Sequence, residues 1–238
     1  PFDETSVDFL EKTINPPIYK IASFEVNHIP LLKKVAETGK PVAMSTGLAS
    51  YDDIAEALQT LKTNGCPAVI LLKCISAYPA DPKNFNLRSL ECLKNFDCLV
   101  GLSDHSLSSS IVMGAIGMGA CLIEKHFVLS RNSDAVDRKF SLEPEEFKHM
   151  VEEGRMLFDG LGKPVVRSLE QEENQRKFRR SIYASKDIKK GEVLTKDNIK
   201  IIRPNFGLHP RYWDKILGQK AKVDMSFGHP LRLDDIEI

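Results

Sequence analysis

Two histidines each follow an apolar run of the sequence, and one helix-forming segment separates the two runs. His105 comes soon after residues 99–103, and His126 comes soon after residues 122–124. In a strand–helix–strand unit, both side chains reach the carboxyl end of a parallel sheet, where such folds carry their chemistry. Neutral imidazole is a common metal ligand, so two histidines in equivalent positions are a candidate metal site. Two hydrogen-bonded structural histidines are the alternative.

A lysine lies inside another apolar run, at position 20 of residues 18–23. A buried ammonium group is costly unless an anion pairs with it, so Lys20 predicts an anionic partner or substrate. Hydroxyl groups also stand at or just beyond the ends of four apolar runs: Ser23, Ser45, Ser76 and Ser103. Each serine alone has a second explanation, because a hydroxyl at this position commonly caps the next helix.

The elements that position these residues alternate along the first 130 residues. Continuous apolar runs predict strands at residues 18–23, 41–45, 68–73, 99–103 and 122–124. Amphipathic runs predict helices at 5–12, with Thr5 as its cap, and at 30–37, 52–63 and 86–95. This alternation is typical of an α/β fold with a parallel sheet, either doubly wound or a (β/α)8 TIM barrel. Polar groups follow every strand rather than only those at one switch point, which favours the barrel. Five strands, with residues 1–3 as the tip of a sixth, predict that the barrel's first strands are missing from this chain.

Composition limits the class of protein. The chain has 238 residues, of which 42% are hydrophobic, and 33 basic residues balance 33 acidic ones. The charges are interleaved rather than clustered and no apolar run approaches the roughly 20 residues of a membrane span, so neither a nucleic acid nor a membrane is expected as a partner. Five cysteines without CxxC spacing predict a reduced, cytoplasmic setting.

The sequence changes character after Phe140. A helix capped by Ser141 is predicted to run to about Leu161, which ends a first domain at residues 1–165. The run from Ser168 to Arg180 is charged and weakly apolar, and it predicts a linker at residues 166–180. Short apolar runs and tight turns in residues 181–238, including runs at 195–202 and 221–225, predict a small, mostly-β second domain with a modest core.

A series of short motifs extends over nearly the whole chain. The first unit has Tyr19-Lys20-Ile21-Ala22-Ser23-Phe24-Glu25, Ser45-Thr46-Gly47, Ser76-Ala77-Tyr78-Pro79, Gly101-Leu102-Ser103-Asp104-His105 and Glu124-Lys125-His126-Phe127. The tail has Asp187 to Glu192, Ile202-Arg203-Pro204, Gly207-Leu208-His209-Pro210-Arg211-Tyr212 and Ile216-Leu217-Gly218. In order and spacing these motifs resemble the sialic acid synthase family, and the tail resembles that family's C-terminal SAF (antifreeze-like, β-clip) domain. The stretch from Gly207 to Gly218 resembles most the pseudaminic acid synthases within that family.

This resemblance implies a transferase that condenses phosphoenolpyruvate (PEP) with an N-acetylated amino sugar and releases phosphate. It implies His105 and His126 as ligands of a divalent metal, with Mn²⁺ expected and Mg²⁺ or Co²⁺ as alternatives. The donors to PEP would be Lys20, Ser23, Ser45, Ser76 and Ser103. The residues that hold the sugar would be Glu25, Tyr78, Asp137 and, from the SAF domain of the partner subunit in a domain-swapped homodimer, Arg203.

Two other functions remain open at this stage. A Schiff-base aldolase would use Lys20, Lys73 or Lys125 at a strand end, although the histidine pair counts against it. Alternatively, the chain is a catalytically inactive fragment that acts as a binding module. Because the family's first barrel strands, which carry active-site residues, are absent, we expect residues 1–238 by themselves to be inactive.

Overall fold

The computed structural model describes residues 1–166 and 169–237. It divides the chain into two compact units, with the boundary between Lys163 and Pro164. Among the described helices, none has the length and apolar composition needed to span a bilayer. The two units are described separately.

Five parallel strands form the sheet of the first unit: β1 (Tyr19–Ile21), β2 (Val42–Ser45), β3 (Val69–Cys74), β4 (Leu99–Asp104) and β5 (Ile123–Lys125). They lie side by side in chain order. A doubly wound sheet reverses its strand order at a switch point, whereas a barrel wall does not. The α/β class and the barrel-like order are therefore confirmed, as a half-barrel of five strands in the described residues.

One ion pair shows how strongly this sheet curls. Lys20 lies on β1 and Glu124 on β5, the two edges of the sheet, yet Lys20 Nζ is 3.5 Å from Glu124 Oε2. In a flat sheet the two strands would be about 19 Å apart, four spacings of about 4.8 Å, which is too far for these side chains to meet. The sheet therefore bends towards Lys20 and Glu124.

Strand register divides the sheet into two faces. What we call the helix face carries large apolar side chains, and they pack with the helices into one core: Tyr19, Ile21, Val42, Met44, Leu71, Val100 and Leu102. The inner face, which is the concave side, carries the alternate residues: Lys20, Ala43, Ser45, Leu72, Cys74, Gly101, Ser103 and Glu124. The inner face thus carries Lys20, Glu124 and serine hydroxyls, whereas the helix face is apolar except at Lys73, Asp104 and Lys125 near the strand ends.

Six α-helices accompany the strands of the first unit: α1 (Glu4–Thr13), α2 (Ile29–Ala36), α3 (Tyr51–Thr63), α4 (Ser89–Leu93), α5 (Ser109–Gly117) and α6 (Pro144–Leu161). The helix predicted at residues 86–95 is shorter than expected, because its last turn is a 3-10 helix that ends at Asp97 in a left-handed conformation (φ 55°). The predicted tip of a sixth strand at residues 1–3 was wrong, because residues 1–2 lie in no strand and Asp3 caps α1.

Two predicted helix caps were wrong. The Asp3 carboxylate accepts a hydrogen bond from the Ser6 amide (2.7 Å) at the start of α1, and an anion there complements the helix dipole. At α6 the cap is Glu143, whose amide donates to the Glu146 carboxylate (2.9 Å). The hydroxyl of Ser141, the predicted cap, instead donates to the Asp137 carbonyl (2.8 Å).

The second unit is small and has its own core. Strands β6 (Ser181–Ala184) and β7 (Ile199–Ile202) pair antiparallel, and a short helix α7 (Trp213–Ile216) packs beside them. The run at 221–225 forms only isolated bridges, since Met225 pairs with Ile188 and Ala221 with Ile236. Within the predicted linker, residues Glu170–Phe178 form a 3-10 helix, while Ser168 lies outside the described residues.

Candidate active site

The two predicted metal ligands lie side by side at the carboxyl ends of β4 and β5. The ring centroids of His105 and His126 are 5.2 Å apart. His105 is buried, and its Nδ1 is 2.8 Å from the Ile75 carbonyl oxygen. A carbonyl only accepts hydrogen bonds, so Nδ1 carries the proton and Nε2 keeps its lone pair. Burial, reinforced by neighbouring His126, lowers the pKa of His105 and favours the neutral ring.

Aromatic and acidic side chains surround this pair. The Tyr78 ring is 4.3 Å from that of His105 and 6.2 Å from that of His126, measured between centroids. Asp137 Oδ2 is 3.5 Å from His126 Nδ1. Burial raises the pKa of the Tyr78 phenol, and the carboxylates of Asp137 and Glu124 raise it further. Two predicted sugar-binding residues, Tyr78 and Asp137, therefore lie beside the histidines.

The chemistry of the histidine pair fits a divalent metal. A metal-ligating histidine typically donates its second ring N–H to a carbonyl or carboxylate, as His105 does to Ile75. The described residues contain no group of three or more His, Cys, Asp and Glu side chains arranged around one point. A metal here would therefore be held by His105 and His126, with its remaining positions left for substrate or water oxygens.

Four of the five predicted PEP donors are serines, and three of them, Ser23, Ser45 and Ser76, lie at or just beyond the carboxyl ends of β1, β2 and β3. A Cβ built on Gly47 would be 2.5 Å from Ser76 Oγ and 2.7 Å from Ser23 Oγ, so glycine is needed where these two hydroxyls converge. In the described part of the chain, the buried Oγ atoms of Ser45 and Ser76 have no hydrogen-bond partner. An unsatisfied buried hydroxyl costs about 1–3 kcal/mol, which a bound anion or water would offset.

The predicted anionic partner of Lys20 is a residue that the sequence reasoning missed. Glu124 is 3.5 Å from Lys20 Nζ, and its Oε1 accepts a hydrogen bond from Ser103 Oγ at 2.6 Å. Both Lys20 and Glu124 are only partly exposed. The signal was available, since a carboxylate within a strand is as costly to bury as the ammonium of Lys20. Lys20, Ser103 and Glu124 form one polar chain across the inner face.

The other predicted residues lie at different places. Glu25 follows β1, and its Oε2 is buried without a hydrogen-bond partner among the described residues. Arg203 directly follows β7 in the second unit, and its side chain is exposed. Alternation along the strands puts Lys73 and Lys125 on the helix face, where they do not reach the histidines. Two of the three lysines of the aldolase alternative therefore point away from the site.

Comparisons with known proteins give a family match for each of the two units. The NeuB family model matches residues 1–165, and the SAF domain model matches residues 179–237. The chain is 42% identical over 236 residues to the pseudaminic acid synthase of Campylobacter jejuni subsp. jejuni serotype O:23/36 (strain 81-176), which covers 99% of this chain and 68% of that protein.

A related synthase and a solved structure extend this result. The N,N'-diacetyllegionaminic acid synthase of Campylobacter jejuni serotype O:2 (strain ATCC 700819 / NCTC 11168) is 38% identical over 93% of this chain and 67% of that protein. The crystal structure of the spore coat polysaccharide biosynthesis protein SpsE of Bacillus subtilis matches with a TM-score of 0.63 at 35% identity, over 99% of this chain and 72% of that one. The family match over the first unit, together with these identities, shows that the chain belongs to the NeuB family.

Proposed function

We propose that this chain carries the catalytic wall of a nonulosonic acid synthase, a transferase that joins PEP to an N-acetylated amino sugar and releases phosphate. The observation that carries the proposal is one concave face that combines a histidine pair, an ammonium group and buried hydroxyls without partners. An anion and a metal together would satisfy this set. The relatives printed as pseudaminic and legionaminic acid synthases support the same class of product.

The anionic groups of PEP would bind to the hydroxyls and to Lys20. Ser23 and Ser76 converge beside Gly47, and Ser45 and Ser103 lie on the same face of the sheet. Lys20 is held loosely by Glu124, at 3.5 Å, so its charge remains available to an incoming phosphate or carboxylate. Hydrogen bonds to a charged group are each worth about 1.5–3 kcal/mol, which makes a set of such donors an effective anion site.

The reaction requires two bond-forming steps at PEP. Carbon 3 attacks the aldehyde carbon of the open-chain sugar, and water then adds at carbon 2 before the bond to the phosphate oxygen breaks. His105 and His126 would hold a divalent metal, which when bound would supply Lewis-acid polarisation of the aldehyde oxygen. Glu124 is the carboxylate on this face that would accept a proton from the attacking water. Glu25, Tyr78 and Asp137 would orient the sugar.

The experiment uses the intact gene product that carries these 238 residues. Purified protein is supplied with PEP, Mn²⁺ and a panel of N-acetylated hexoses, and phosphate release and the sugar product are measured together. We expect release that depends on both the metal and one class of sugar, with the pseudaminic precursor preferred. Release that survives chelation, or trapping of a lysine adduct by borohydride, would instead support the Schiff-base aldolase.

We also propose that the eight-stranded barrel is completed elsewhere in the whole protein, and that the SAF domain, residues 181–238, serves a partner subunit in a homodimer. Arg203 stands at the end of the apolar strand β7, so its guanidinium is carried on a fixed backbone and is free to donate paired hydrogen bonds to a sugar.

The test mixes an Arg203→Ala protein with a His126→Ala protein, each inactive alone. Mixed dimers should recover up to about half of the wild-type activity, since each contains one complete site. No recovery, with subunit exchange confirmed, would refute service in trans.

A further inference from the structure

One buried ion pair lies directly behind the histidine pair. Lys125 Nζ is 2.8 Å from Asp104 Oδ2, and neither side chain is exposed to solvent. The two residues are register partners and form the last pair of the β4–β5 ladder. By contrast, the Lys40–Glu11 pair elsewhere in this unit is 18% and 34% exposed. The Asp104–Lys125 pair is thus a fully buried link between two neighbouring strand ends.

Each member of the pair immediately precedes one of the histidines. Successive side chains along a strand point to opposite faces, so Asp104 and Lys125 point to the helix face while His105 and His126 continue towards the site. The ion pair therefore ties together the two backbone segments from which the imidazoles extend. The spacing of the imidazoles depends on the spacing of these segments.

Hydrogen bonds made by this ion pair also join the two residues that flank His105 in the sequence. Lys125 Nζ donates to the Ser106 carbonyl as well as to Asp104, and Asp104 Oδ1 accepts from the Ser106 amide at 2.7 Å. The residues before and after His105 are thus bonded to each other and to one lysine of the next strand. Since the Ile75 carbonyl also fixes the imidazole through Nδ1, both the backbone and the ring of His105 are held.

Stability alone does not account for a buried ion pair at this position. Removing two charges from water costs several kcal/mol per ion, and apolar replacements of similar volume are often neutral or stabilising. Because apolar side chains would fill the core equally well at this position, the ion pair points to a requirement for a fixed spacing of the two strand ends.

We propose that Asp104 and Lys125 are positioning residues that fix the separation and direction of His105 and His126 for one shared divalent metal. This inference rests on the proposed metal role of the two histidines. Neither positioning residue touches substrate or metal. Their effect is transmitted through the backbone of β4 and β5, in the way that groups behind metal ligands commonly tune metal affinity by 10- to 100-fold.

The test is a double variant, Asp104→Asn with Lys125→Met, in the intact gene product. Asparagine still accepts the Ser106 amide bond, and methionine fills the volume of the lysine stem without leaving an unpaired charge. We expect the variant to fold with a melting temperature close to that of the wild type, and to bind Mn²⁺ about 10- to 100-fold more weakly in a titration followed by electron paramagnetic resonance. The metal concentration that gives half-maximal activity should rise by the same factor, while the maximal rate at saturating metal changes little.

The matched control is Glu11→Gln with Lys40→Met, which removes an ion pair remote from the histidines and should leave Mn²⁺ affinity unchanged. Unchanged Mn²⁺ affinity in a folded Asp104→Asn, Lys125→Met protein would overturn the inference. If that protein does not fold, Asp104→Glu decides in the same way, because it keeps both charges and lengthens one side chain by a methylene. Failure of the wild type to bind Mn²⁺ would instead overturn the metal role in the proposed function.

Discussion

The two faces of the parallel sheet carry different residues although they alternate along the same five strands. On the helix face, Leu71 and Leu102 are fully buried in a core shared with the helices. On the inner face, Ser45 is equally buried, yet its hydroxyl has no hydrogen-bond partner among the described residues. Burial of apolar area stabilises the fold by about 25 cal/mol per Å², whereas an unpaired hydroxyl costs about 1–3 kcal/mol. Stability is concentrated on the helix face, and polar groups ready for a ligand are concentrated on the inner face.

The largest effect should come from removing either histidine. We expect His105→Ala and His126→Ala to lose Mn²⁺ and at least about 1,000-fold in kcat/KM, because polarisation of the aldehyde is lost, with little change in melting temperature. His149→Ala, on the exposed side of α6, is the control and should be neutral. Near-normal turnover with bound metal would refute the ligand role. Loss of activity with metal still bound would make that histidine an acid, a base or an orienting group.

Two neighbouring leucines on β3 test the division between the faces directly. Leu71 faces the helices and Leu72 faces inward, and both are fully buried. Each Leu→Ala variant should lose about 2–5 kcal/mol of unfolding free energy, measured by urea denaturation. Only Leu72→Ala should also raise KM for PEP, because Leu72 is the register partner of Ser45. Equal KM values in the two folded variants would show that the division does not hold.

A smaller effect, confined to the inner face, should follow from Gly47→Ala. The new Cβ would lie within 2.7 Å of the hydroxyls of Ser23 and Ser76, and these must rotate away from their converging positions. We expect KM for PEP to rise about 10- to 100-fold, equivalent to about 1.4–2.7 kcal/mol, while the fold persists. Gly160→Ala on α6 meets nothing within 4 Å and serves as the control. An unchanged KM would mean that the two hydroxyls do not bind PEP.

The sequence predicted correctly those features that depend on where a single residue or apolar run lies in the chain. Apolar runs located the five strands, the strand ends located His105 and His126, and Lys20 stood out as a lysine inside an apolar run. What it could not supply was the direction of side chains across strands. That Glu124 meets Lys20 from the opposite sheet edge depends on the curl of the sheet. Two lysines of the aldolase alternative, Lys73 and Lys125, lie on the helix face because of a strand register that the sequence did not show.

Contacts between loops were also beyond the reach of sequence reasoning. The role of Gly47 depends on Ser23 and Ser76, which come from loops after two other strands. Thr5 was predicted to cap α1, but Asp3 is the cap. The Asp3 carboxylate, two residues earlier, accepts hydrogen bonds from the Ser6 amide and from the Thr5 hydroxyl. Local propensity ranks such candidates only weakly, whereas three-dimensional geometry decides between them.

The smallest predicted effect concerns an exception to the apolar helix face. Alternation places Lys73 on this face, as the register partner of Leu102, and burial lowers the pKa of its ammonium group from the ordinary value of 10.5. Below the lowered pKa the folded protein carries the full cost of that charge. Between the lowered pKa and 10.5 the unfolded chain binds more protons than the folded one, so wild-type stability rises with pH in this window.

Lys73→Met should therefore be more stable than the wild type at pH 7, by no more than about 1 kcal/mol, and the gain should shrink as the pH approaches 10. Urea unfolding at the two pH values measures this, with Lys148→Met on the exposed side of α6 as the control. A Lys73→Met protein that is less stable at pH 7 would show that the lysine stem contributes packing that methionine does not replace. A Lys73→Met protein that folds but no longer releases phosphate would return Lys73 to the active site and revive the Schiff-base alternative.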